Sequence, residues 1–114
     1  MIVIQVNEDI IREMASALSK ESRPWDELVW LFAELELRLR PALVDGALYS
    51  RGVEKRLVDI DPTLIIDHPS ESAIRELAEE ISHLGPSFQD LHWFISERRY
   101  IYERAKASLT QKVS

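Results

Sequence analysis

Apolar positions recur at three- and four-residue spacing along most of this chain, and the pattern is densest over residues 24–43. There Trp25, Leu28, Leu31, Phe32, Leu35 and Leu39 fall on one helical face, and Val29, Trp30, Ala33 and Leu37 widen it beyond a single stripe. A face that broad predicts a central helix touching neighbours on two sides, with Leu31 and Leu35 deep inside. Asp26, Glu27, Glu34, Glu36, Arg38 and Arg40 then share the solvent-facing remainder. Pro41 lacks an amide hydrogen and clashes with the turn before it, so the helix is expected to stop or kink near residues 38–40. Ala42, Leu43, Ala47 and Leu48 carry the pattern on towards Tyr49 as a kinked extension, which Gly46 weakens.

Three further helices follow from the same spacing. Asn7 is a good N-cap, with Glu8 and Asp9 in the first turn where carboxylates complement the helix dipole. The helix it opens carries Ile10, Ile11, Met14, Ala17 and Leu18 and ends near Glu21. Ser22-Arg23-Pro24 makes the turn, with Ser22 or Arg23 as cap and Pro24 in the first turn of the central helix. Later, Asp67 or His68 is read as a cap with Pro69 at the first helical position. Ile74, Leu77, Ala78, Ile81 and Leu84 make a narrow stripe that Gly85-Pro86 stops. Ser87 caps the last helix, whose long apolar face is Phe88, Leu91, Ile95, Tyr102, Ala105 and Leu109. Trp93, Phe94, Tyr100 and Ile101 spread aromatic and aliphatic surface around it.

Two stretches resist this reading. Residues 1–6 alternate in strand fashion (Ile2, Ile4 and Val6 against Val3 and Gln5), but a lone strand needs a partner, so an extended lead-in packed on the helices is an equal reading. Between residues 50 and 69 the pattern is poorest: 53–58 reads as one or two helical turns, 59–62 as a turn, and 63–66 as a short apolar run. The short connections at 22–24 and 85–87 set sequential helices antiparallel. The expected fold is therefore all-α: a four-helix antiparallel bundle forming a single helical domain over residues 1–114. It has an irregular crossover between the second and third helices and a short extended N-terminal segment.

Composition narrows the chemistry. With 114 residues and 46% hydrophobic content there is material for one cored domain, and three glycines against abundant Leu, Ala, Glu and Arg favour helix. No cysteine is present, which removes disulfides and thiolate chemistry. No apolar run approaches the ~20 residues needed to span a bilayer, and the N-terminus lacks a basic export segment, so a soluble, cytoplasmic protein without membrane contact is expected. A net charge of −6 argues against general nucleic-acid binding.

Catalytic and metal motifs are weak. Glu80-Ile81-Ser82-His83 matches the Glu-x-x-His of di-iron bundles, but such a site needs the motif twice. Glu76, Glu79 and Glu80 near Asp90 lack the second acidic pair that a magnesium-holding bundle hydrolase requires. His68, His83 and His92 have no spacing that argues a triad or a helical ribonuclease. No catalytic residue, cofactor or metal ligand is assigned, and the chain is read as a binding protein and not an enzyme.

Charge layout is the remaining signal. Residues 57–90 hold eight acids (Asp59, Asp61, Asp67, Glu71, Glu76, Glu79, Glu80 and Asp90) and one base, Arg75, a local net of −7. Residues 98–112 hold five bases (Arg98, Arg99, Arg104, Lys106 and Lys112) against Glu103, a local net of +4, and Arg51, Lys55 and Arg56 make a smaller basic patch. Such charges commonly just face solvent or each other. The functional expectation is that Asp59, Asp61, Asp67, Glu71, Glu76, Glu79 and Glu80 bind a protein partner with a basic surface. In that reading the chain is an acidic immunity or antitoxin-type inhibitor occupying the basic surface of a toxin or nuclease, with exposed aromatics such as Trp25, Trp30, Trp93 or Tyr100 as anchors. The alternatives are a homo-oligomeric helical scaffold or regulatory subunit, a homodimer in its simplest form, and a small metal-dependent enzyme using the Glu-rich helix.

Overall fold

The structure, a computed structural model, describes residues 1–44 and 57–111, Gln111 by its backbone alone. The described elements run β1 (Ile2–Gln5), α1 (Glu8–Lys20), α2 (Trp25–Leu39), β2 (Leu57–Ile60), α3 (Glu71–Leu84) and α4 (Phe88–Gln111), with short 3-10 turns at Arg40–Ala42 and Pro62–Leu64. Among the described residues the chain is thus mostly helical, with four α-helices, as the spacing predicts. The small sheet is the departure. β1 pairs antiparallel with β2, Ile2 opposite Ile60 and Ile4 opposite Val58, so residues 1–6 include a true strand and the helical reading of 53–58 fails at Leu57 and Val58. Residues 53–56 lie outside the described residues. Ile4, Val58 and Ile60 point into the core while Val3, Leu57 and Asp59 face out, the period-two alternation of a half-buried sheet.

The helix ends follow local chemistry. Asn7 accepts from the amides of Asp9 and Ile10, as expected of the α1 cap. Ser22 stands in left-handed backbone (φ 53°) at the α1–α2 turn, which Arg23 braces by pairing with both Glu21 and Glu27. α2 begins after Pro24, and no side chain caps it. Helical geometry ends at Leu39; a 3-10 turn carries Pro41, and Leu43 is already extended, bridging to Ile60. The stop expected from Pro41 is therefore present and the kinked extension ends at once, its far part at Ala47–Tyr49 lying outside the described residues. For α3 the cap is Ser70, whose hydroxyl accepts from the amide of Ala73, and not Asp67 or His68. Gly85 closes α3 in left-handed backbone (φ 61°), the conformation that favours glycine. Ser87 caps α4 by accepting from the amide of Asp90.

α2 packs against α3 on one side and α4 on another, and α4 in turn carries α1. Two apolar clusters result. One joins the sheet to Ile11, Leu39, Tyr100, Ile101 and Ala105; the other gathers Leu18, Leu28, Phe32, Leu35, Ile74, Leu77, Ile81, Leu91 and Ile95. Leu35 is buried as expected, but Leu31 is only half-buried, because the inward face of α2 runs through Leu28, Phe32, Leu35 and Leu39 with Val29, Ala33 and Glu36 beside it. Leu84 and Phe88, read as apolar-face residues, are 64% and 51% exposed.

Candidate functional site

Both long helices pass from one apolar cluster to the other, and charge sits where they cross. On α2, Glu36 lies between Leu35 and Leu39; on α4, Glu97 and Arg98 lie between Ile95 and Tyr100. Glu36 and Arg98 are fully buried and Glu97 is 2% exposed. The Arg98 guanidinium donates through Nε to Glu36 Oε2 and through Nη1 to Glu97 Oε1, each at 3.0 Å. Its central carbon lies over the rings of Phe32 and Phe94, 4.8 and 5.3 Å from their centroids, a placement that suits a delocalised cation. The sequence reading put Glu36 on the solvent face, which its full burial corrects, and counted Arg98 only as one of a basic run. Spacing held the clue, since Glu36 follows Phe32 by four and Arg98 follows Leu91 and Ile95 by seven and three, all core positions.

Two of the remaining basic residues at the C-terminal end are also engaged. Lys106 binds Asp67 at 3.0 Å, and Arg104 lies over the ring of Tyr100 at 4.8 Å. Tyr102 donates to the other Asp67 oxygen at 2.7 Å while Arg38 sits over its ring at 5.3 Å. The Tyr102 hydroxyl, followed by the Lys106 ammonium, pulls the Asp67 carboxyl below its ordinary value, and the same hydrogen bond pushes the Tyr102 phenol up. Lys112 and the patch of Arg51, Lys55 and Arg56 lie outside the described residues.

The seven acids expected to bind a partner divide accordingly. Asp67 is held by α4. Asp61 accepts from the amide and hydroxyl of Thr63 and so caps the 3-10 turn after β2. Asp59 is exposed on the outer face of the sheet, opposite Val3. Glu71 is exposed at the start of α3 and pairs with Arg75 one turn on. Glu76, Glu79 and Glu80 are all exposed, and none has an ion-pair partner among the described residues. α3 buries Ile74, Leu77 and Ile81 against α2, which leaves these three glutamates on its free side. The structure thus gathers one acidic group on α3 and places Asp59 on the sheet and Asp61 and Asp67 on the segment that joins the sheet to α3.

Among the described residues, no three His, Asp or Glu side chains are grouped so as to hold a metal ion, and no helix is long and apolar enough to cross a membrane. Neither a family model, nor a characterised protein, nor a solved structure matches the chain.

Proposed function

We propose that the chain is a binding protein that docks the acidic free side of α3 onto a basic protein surface, as an inhibitor or immunity-type protein would on a toxin or nuclease. One observation carries the reading: Glu76, Glu79 and Glu80 are exposed and have no ion-pair partner among the described residues, while Arg98 and Lys106 of the basic run are taken up by acids of the same chain. Outward carboxylates clustered in this way attract a basic partner and speed its encounter. Glu71, braced by Arg75, extends the acidic row by one turn. Asp61 and Asp67 already serve the fold, so recognition centres on α3.

The natural test partner is the protein encoded in the neighbouring reading frame, where an inhibitor and its target are expected together. Its association with the wild-type chain should be slowed by the pair Glu76→Lys and Glu80→Lys, and the salt dependence of the rate should flatten. Glu8→Lys with Asp9→Lys makes the same change in net charge at the far end of α1 and should matter less. Equal effects from both pairs would reduce the role of α3 to net charge alone.

A second reading, self-association, is favoured by the outer face of the sheet, where Val3 and Leu57 are 58% and 60% exposed. A mass that rises with concentration in sedimentation would support it.

A further inference from the structure

The corner where α3 hands over to α4 displays apolar surface that the core does not use. Leu84, the last residue of α3, and Phe88, the first of α4, are 64% and 51% exposed. A single exposed leucine needs no explanation, but these two flank one short turn, and that turn is held on three sides. Gly85 closes α3 with its amide bonded back to Ile81 and Ser82. The Trp25 indole donates to the Pro86 carbonyl at 2.8 Å, tying the turn to the start of α2. Ser87 caps α4, and the Phe88 ring lies 6.3 Å from that of His92. Apolar groups presented on a fixed backbone lose little freedom on binding, so more of their burial survives as affinity.

What surrounds the corner specifies the occupant. Glu76, Glu80 and Leu84 succeed one another at four-residue steps along one side of α3, so the acidic row runs directly into the apolar corner. We propose that Leu84 and Phe88 form the apolar anchor of the docking surface, and that the partner is a basic protein surface bearing an exposed aromatic or aliphatic side chain beside its lysines and arginines. This rests on the reading of α3 as the recognition helix. Charge supplies approach and register, and the corner supplies the desolvated contact that slows dissociation, the usual division between a polar rim and a buried centre.

Calorimetry with two probes separates the terms: oligolysine, and a peptide of equal charge in which tryptophan alternates with lysine. The wild-type chain should bind the tryptophan peptide about tenfold more tightly than oligolysine. Leu84→Ser and Phe88→Ser, made singly and checked by urea unfolding, should each erode that preference while leaving oligolysine binding unchanged. Glu76→Lys with Glu80→Lys should weaken both probes. If the preference survives both serine substitutions while the charge reversal still weakens binding, the corner is not the anchor and the acidic reading stands. If the reversal leaves both probes unaffected, the acidic reading fails and the corner loses its stated partner. Absence of saturable binding by either probe would overturn both.

Discussion

Helices α3 and α4 are joined by three residues, and both are rich in charge, yet they place it in opposite environments. α3 keeps Glu76, Glu79 and Glu80 in solvent, and its apolar side rests on α2 alone among its principal contacts. α4 is sandwiched between α1 and α2, and from Ile95 to Arg98 every residue is buried. A charge on this buried stretch of α4 must therefore find a counter-charge inside the protein, because a lone buried ion costs on the order of several kcal/mol after relaxation. On α3 the same side chain costs almost nothing and remains available to another molecule. Formal charge counts hide this difference: of the described bases from Arg98 on, Arg98 and Lys106 are paired with acids of the same chain, while Glu76, Glu79 and Glu80 on α3 point outward.

The largest expected effect lies on the α4 side. Arg98→Met should destabilise the fold by about 3–5 kcal/mol, since it leaves Glu36 and Glu97 buried without the guanidinium between them. Against a total stability of about 5–15 kcal/mol, that approaches unfolding. A urea midpoint close to wild type would mean that water reaches Glu36 and that α4 is not sealed. Leu35→Ala should cost about 2–5 kcal/mol, and Leu31→Ala less than half as much, because Leu31 lies off the inward face. Equal losses would put the boundary of the α2 core in the wrong place.

At the junction of the two helices, Gly85→Ala forces a side chain into left-handed backbone and should cost about 1–2 kcal/mol by thermal unfolding. No atom within 4 Å would meet the added methyl, so the loss measures backbone strain alone, and no change at all would show that the turn relaxes.

Smaller again is the Asp67–Tyr102 contact, which ties the segment before α3 to α4. Its pH dependence has two limbs. Asp67 titrates below its ordinary 3.8 in the folded chain, so its contribution is present above 3.8 and is lost as pH falls through the lowered value. Tyr102 titrates above its ordinary 10.0, so its contribution is present below 10.0 and is lost as pH rises through the raised value. The stability difference between wild type and Tyr102→Phe should be flat between those limits and shrink beyond both. A difference that keeps growing in acid would assign the contact to other groups.

Much of the architecture was legible because helices announce themselves locally. The Asn7 cap, the stop at Pro41, the Gly85 terminator and the Ser87 cap each depend on a few neighbouring residues, and each stands where the pattern put it. The sheet was not legible, because four residues such as Leu57–Ile60 alternate too briefly to exclude a helical turn, and only pairing with a strand more than fifty positions earlier decides the matter. Asp67 was misread as a cap for a related reason: its partners, Tyr102 and Lys106, come from the far end of the chain. On the candidate surface, the outward placement of Glu76, Glu79 and Glu80 followed from the apolar stripe of α3. The burial of Glu36 and Arg98 could have been read from their core spacing. Their charge argued against it, and only the pairing across α2 and α4 reconciles the two signals.

The contrast between buried and outward charge is tested most directly by making one chemical change in both places. Glu36→Gln and Glu76→Gln each remove one negative charge and almost no volume. In parallel urea unfolding at neutral pH, Glu36→Gln should lose at least about 2 kcal/mol, and Glu76→Gln should stay within about 0.5 kcal/mol of wild type. Equal losses, or a larger loss at Glu76, would contradict the division of this protein's charge into an internal structural part and a free acidic face.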